Sequence, residues 1–199
     1  YKDIENVLGA NYDTDGVTWA EFVNTSIDNL EIAMYDAYAH DIANIAGGRF
    51  KYTLSDTTAV NGYYRHETDV GKGADRRTDM VGASIQQKVG GVTLEPGFLS
   101  VSGDNILFDG VNTGINHPLG SSLMGYTAPL NGGADTYYLK ATTKIDKTIL
   151  YALYHYTTHD KNTAFEGQEL DFVAKQLISD NLSVAVKAGV AYRDNDGGA

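Results

Sequence analysis

Two stretches late in the chain alternate apolar and polar residues with a period of two. In the first, Tyr137, Leu139, Ala141 and Ile145 fall on one side, and Tyr138, Lys140, Thr142 and Lys144 on the other. In the second, Leu182, Val184, Val186, Ala188, Val190 and Tyr192 alternate with Ser183, Ala185, Lys187, Gly189, Ala191 and Arg193. That period belongs to extended strands, whose successive side chains point to opposite faces. The runs are longer than the roughly 5–6 residues common in soluble strands. They match the roughly 9–11 residues that a tilted strand needs to cross a bilayer. The apolar face is therefore expected to meet lipid, and the polar face a water-filled lumen.

The same pattern runs along the rest of the chain. A strand is expected from about Val17 to Thr25, then a turn at Ser26–Asn29 and a return strand from Leu30. Its parity blurs near Asp36, where a bulge is expected. His40 to Ala46 reads as a connection, with room for a short helix. Phe50, Tyr52 and Leu54 then alternate with Arg49, Lys51 and Thr53, and Val60, Gly62 and Tyr64 with Asn61, Tyr63, Arg65 and Glu67. The next hairpin turns at Gly90-Gly91, a two-residue turn of the primed kind. Pro96 lies inside its second strand and cannot donate to the ladder, so a local bulge is expected there. About Ser102–Ala134 is the longest irregular stretch, and a loop of that length inside one domain is usually functional. Two further hairpins turn at Asp146-Lys147 and Ser179-Asp180-Asn181.

Turn length checks the register. Residues paired across antiparallel strands share a face. A two-residue turn therefore moves the apolar set between odd and even numbers, and a three-residue turn leaves it unchanged. Gly90-Gly91 moves it from Val81, Ala83 and Ile85 to Val92 and Leu94. Ser179-Asp180-Asn181 keeps it, from Leu170 and Phe172 to Leu182 and Val184. Over 149–157 both faces look apolar. There the turn at Asp146-Lys147 selects Leu150, Ala152, Tyr154 and Tyr156 as outward and turns His155 inward. Short turns and long loops alternate along the chain, as at the two rims of an outer-membrane barrel. A soluble sandwich has no reason to sort its loops by length.

Composition narrows the remaining choices. The 199 residues read as one domain, spanning 1–199. The absence of cysteine rules out a disulfide framework and thiolate chemistry. A net charge of -11 argues against a nucleic-acid partner. The sequence has no run of about 18 apolar residues, hence no transmembrane helix, but that test does not see membrane strands, each only half apolar. Tyr1 is not an initiator methionine, and Asp196–Ala199 reads as a loop. The chain is therefore expected to be a piece of a longer one, or a partly observed one.

Residues 78–104 resemble the OprD-type porins of Gram-negative outer membranes. The stretch that carries the likeness is Gln86-Gln87-Lys88-Val89-Gly90-Gly91-Val92-Thr93-Leu94, closing with Val101-Ser102-Gly103-Asp104. Asn116-His117-Pro118-Leu119-Gly120, Tyr154-His155-Tyr156 and Gly167-Gln168-Glu169-Leu170-Asp171-Phe172 are similar to the C-terminal half of OprD-like and alginate-export-type porins. The flavour is that of porins from Campylobacter-like proteobacteria. The resemblance covers about residues 17–193 and implies an all-β, antiparallel transmembrane β-barrel. About ten strands lie in this chain, a fragment of a barrel of about 18, so the resemblance implies that the N-terminal strands and the family's final strand lie outside it. It also implies an outer-membrane location among lipid and lipopolysaccharide, passive passage of small hydrophilic solutes, and a homotrimer.

The inward positions hold the candidate functional groups. Arg49, Lys51, Arg65, Glu67, Lys88, Glu95, Lys140, Lys144, His155, Glu169, Asp171, Lys175, Lys187 and Arg193 are expected to line the pore. Their balance is basic although the chain is acidic, and a basic wall favours anions. Pairing of opposite charges between strands is the competing role for the same residues. Asp104, Phe108 and Asp109 are candidates for a constriction if the long loop folds inward. Asp104, Asp109 and Asn112 lack the spacing of a calcium-binding EF-hand. Histidines 40, 66, 117, 155 and 159 suggest neither a catalytic pair nor a metal site, since His155 and His159 share no helical face on a strand. The expectation is therefore no enzyme, no cofactor and no metal. The rival reading is a secreted β-sandwich or β-solenoid that binds glycans, with its apolar face packed on a second sheet.

Overall fold

The computed structural model describes residues 16–72, 75–106, 129–160, 166–179 and 182–193. They form β1 (Val17–Ile27), β2 (Leu30–Ala39), β3 (Ala43–Ser55), β4 (Thr58–Asp69), β5 (Arg77–Val89), β6 (Val92–Gly103), β7 (Ala134–Ile145), β8 (Thr148–His159), β9 (Gly167–Ser179) and β10 (Leu182–Arg193). All belong to one 10-stranded antiparallel sheet whose strand order is the chain order. Among the described residues there is no second sheet of the kind a sandwich would require. No helix among the described residues is long and apolar enough to cross a membrane, which says nothing against crossing by strands.

The register follows turn length directly at two of the five hairpins, and Ser179, expected in a three-residue turn, instead pairs with Leu182. Val89 pairs with Val92 across Gly90-Gly91, and Ile145 with Thr148 across Asp146-Lys147, with no shift in either ladder. Gly90 takes φ 60° as the first residue of its turn, the sign demanded by a type II′ hairpin. At the β1–β2, β3–β4 and β9–β10 hairpins the ladder slips once beside the turn, between Asn24 and Ile27, Thr53 and Ser55, and Leu182 and Ser183. The slip restores same-parity pairing, which is what a three-residue turn would have done.

Three expectations need correction. The connection expected at His40–Ala46 is only His40–Ile42, and β3 begins at Ala43. Small residues on both sides of Ala43–Gly48 hide its alternation, so the rim opposite the short turns carries one short connection as well as long ones. The bulge expected near Asp36 is absent, since Ala20↔Asp36 and Asp36↔Ala46 pair in unbroken register. Asp36 is simply a polar residue on the otherwise apolar face. Pro96 removes ladder bonds without inserting a residue: pairing lapses between Ser84↔Gly97 and Gln87↔Leu94 and resumes in the same register.

The two faces differ chemically. Leu139, Ile145, Phe172, Val184, Val186 and Val190 are all exposed on the apolar face, Val186 at 67%. Ala141 and Leu170 share that face and are half-buried. Burial lies on the polar face instead. Met80, Leu99, Val101, Tyr138 and Leu153 form its main apolar cluster, and Tyr35, Ala37 and Ile45 a second. In water, exposing so many large apolar side chains on one face would be costly; in hydrocarbon it is not.

Candidate functional site: the polar wall

Strand pairing brings the sequence-predicted residues onto one wall. Arg49 and Lys51 on β3 face Tyr63 and Asn61 on β4, and Arg65 and Glu67 face Met80 and Thr78 on β5. Lys88 pairs with Thr93, and Glu95 with Lys140. Lys144, on β7, pairs with Ile149, which pairs in turn with Lys175 on β9. Lys187 on β10 pairs with Val173, and Arg193 is placed by its backbone pairing with Gly167. Phe108 and Asp109 lie outside the described residues.

Arginines and lysines behave differently there. Arg49 bonds Glu31 at 3.3 Å. Arg65 Nε donates to Glu67 Oε1 at 2.6 Å, and Arg76 Nη1 reaches Glu67 Oε2 at 3.0 Å. Arg65 and Glu67 are almost completely buried, so their pairing offsets a large desolvation cost. Among the described residues Lys51, Lys88, Lys140, Lys144, Lys175 and Lys187 form no ion pair. Glu95, beside Lys140 in register, instead accepts hydrogen bonds from Ser84 Oγ at 2.8 Å and Gln86 Nε2 at 3.1 Å. The Lys140 ammonium sits 5.0 Å from the centre of the Tyr151 ring. Lys51, Lys88, Lys144, Lys175 and Lys187 are solvent-exposed. Arg49, Arg65 and Arg76 pair with carboxylates, whereas these lysines have no carboxylate partner among the described residues. Glu31 and Arg76 were missed by sequence. The parity of β2 would have placed Glu31 inward, but Arg76 precedes β5 and no periodicity marks it.

The described ends of the long loop turn toward this wall. Ile106 and Leu130 pack on the Met80–Leu153 cluster, and Ile106 N donates to Leu130 O at 2.9 Å. Arg76 Nη1 also donates to Asn105 O at 2.8 Å, tying the loop to Glu67. Asn105 Oδ1 accepts from Gly132 N at 3.0 Å and closes the loop's neck. Asp104 is exposed and accepts from Arg77 N at 2.9 Å, a rim contact.

A fully buried polar group on the wall lies between β8 and β9. His155 pairs with Glu169, and Asp171 follows two residues later on the same face. All three are buried, His155 and Asp171 at 0% exposure. One ligand atom from each lies within 4.8 Å of the others. His155 Nδ1 stands 3.5 Å from Thr157 Oγ1, which bonds Thr136 Oγ1 at 3.0 Å. His159 also lies on the polar face of β8, at the strand's far end beside Ala134. The histidine pair considered in the sequence is therefore not the cluster the fold makes. The acidic residues come from the neighbouring strand, and only the register could reveal them.

No family model matches the chain, and none of the curated proteins matches it. Solved structures do share its fold. A BenF-like porin from Pseudomonas fluorescens Pf-5 superposes with a TM-score of 0.70 at 16% identity, over 94% of this chain and 53% of that one. The outer membrane protein opdK from Pseudomonas aeruginosa gives 0.70 at 12% identity, over 94% and 55%. Acinetobacter baumannii OccAB4 gives 0.66 at 12% identity, over 93% and 52%. The chain thus spans about half the length of the porins whose fold it shares. Its sheet matches half of a porin barrel.

Proposed function

We propose that this chain forms part of an OprD-like outer-membrane porin, a passive channel for small hydrophilic solutes with a preference for anions. The observation that carries the reading is the chemical split between the faces: exposed Leu, Val, Ile and Phe side chains on one, and on the other lysines with no ion pair among the described residues. Lipid would cover the first, and water and solute the second. The sheet's free edges, β1 and β10, would join the further strands of a closed wall. Lipid and lipopolysaccharide outside and a homotrimeric assembly belong to the same proposal. The wall offers positioned charges and hydrogen-bonding groups for steering solutes, and the reading includes no catalytic step.

Anion preference rests on the lysines. The acidic groups Glu67, Glu169 and Asp171 are buried, and Glu67 is matched by Arg65 and Arg76. Lys140 and Lys187 stand on the same face without a carboxylate partner among the described residues. Reversal potentials of the reconstituted channel under a salt gradient test this. The expected result is anion preference, shifted toward cations when Lys140 and Lys187 are both replaced by Glu. A parent channel that already prefers cations, or an unmoved double variant, overturns the proposal.

A further inference from the structure

We infer that His155, Glu169 and Asp171 form a binding site for one divalent transition-metal cation in the channel wall. Three observations combine. The ligand atoms meet within 4.8 Å, and His155 Nε2 is 3.8 Å from Glu169 Oε2. Ligands bound tetrahedrally at about 2.1 Å stand about 3.4 Å from one another, so small side-chain adjustments bring the set to bonding geometry. The imidazole is completely buried, and its Nε2 makes no hydrogen bond among the described residues. A buried polar atom without a partner is uncommon and calls for one.

The neighbouring hydroxyls accommodate the tautomer that leaves Nε2 available. With its proton on Nδ1, His155 donates toward Thr157 Oγ1, itself tied to Thr136 Oγ1. The Nε2 lone pair then points to the carboxylates, the arrangement by which metal-ligating histidines are commonly held. Glu169 and Asp171 each engage a further group. The case therefore stands on the histidine lone pair and the three-way approach.

The donor set selects the metal class. One imidazole and two carboxylates suit Zn2+ or Mn2+, whereas Ca2+ and Mg2+ favour all-oxygen shells. Two carboxylates and a neutral imidazole also balance the charge of a divalent ion, which favours its burial in the wall. The strand ladder supplies rigidity: β8 and β9 pair continuously from Thr148↔Gln176 to Thr157↔Gly167. The ligands thus sit on rigid backbone instead of a loop.

The test uses the folded protein in detergent, freed of metal with a chelator and titrated with Zn2+ by calorimetry and metal analysis. One Zn2+ per chain is expected, weakened at least about tenfold in His155→Asn and in Glu169→Gln, the scale seen when metal shells are disturbed. His66→Asn, on the opposite face, should bind like the parent. Gel migration with and without heating monitors folding. If the variants do not fold, zinc-edge X-ray absorption of the parent decides: one imidazole among oxygen ligands supports the site. No binding, binding indifferent to His155→Asn in a folded variant, or a shell with no imidazole or several overturns it.

Discussion

The ring of Phe50 lies across Gly62, its direct cross-strand partner, and occupies the space that a Cβ on residue 62 would need. The same relationship recurs twice on the polar face. Tyr35 covers its partner Gly47, and Tyr138 covers its partner Gly97. An aromatic ring laid over a glycine shields exposed backbone and pins register, because a slip of one residue would set the ring against a side chain.

Gly62→Ala should therefore lose about 1–3 kcal/mol, the usual cost of overpacking. The three nearest heavy atoms to the added methyl all belong to Phe50. Phe50→Ala should consequently absorb much of the penalty in the double variant. A double-mutant cycle on urea unfolding in lipid checks this, and additive effects would remove the ring-on-glycine argument.

Val186 is 67% exposed on the apolar face of β10. Val186→Arg should cost about 2–4 kcal/mol if residue 186 sits near the bilayer midplane. Lys187→Arg, one residue along and facing the other way, should cost little. Equal losses in both variants would contradict the assignment of faces.

Arg76 bridges Glu67 Oε2 and the loop backbone at Asn105 O. Arg76→Ala should free the neck of the long loop while Arg65 still pairs Glu67. Single-channel recordings should show more frequent current fluctuations with little change in folding. Quiet channels with parental conductance would mean that the Ile106–Leu130 packing and the Asn105–Gly132 hydrogen bond hold the loop's neck without Arg76.

The lysine field should depend on salt. The Debye length is about 8 Å at physiological salt and about 30 Å at 0.01 M. If the proposed anion preference comes from these lysines, it should grow as salt is lowered, and Lys51→Gln or Lys175→Gln should reduce that growth. Selectivity that ignores ionic strength would point to a steric filter.

The sequence was most legible where one face is consistently apolar and a turn of known length links two strands. Val81 to Phe98 and Tyr137 to Tyr156 show this, and even the doubly apolar β8 was oriented by Asp146-Lys147. It was least legible where cross-strand packing replaces alternation. Gly47 and Gly48 carry no hydrophobic signal, yet they belong to β3 because Tyr35 lies over Gly47. Asp36 and Pro96 read locally as interruptions, yet the strands on both sides of each hold the register through them. The His155 cluster joins residues on two strands, so spacing along the chain could not place it. Arg76 acts from outside any strand, through the reach of its side chain.

Strand order equal to chain order has a consequence for how such a wall changes size. Each strand bonds only to its neighbours in sequence, and β2 and β4 run in the same direction. Excising β3 with β4 would leave β2 antiparallel to β5, with every remaining pair intact. Two strands are the smallest unit that can be gained or lost without reversing a direction. At a spacing of about 4.8 Å, each such unit adds or removes about 10 Å of perimeter. Bore in a wall of this kind is therefore stepped, inherited in whole hairpins, while the side chains that filter traffic can drift one at a time.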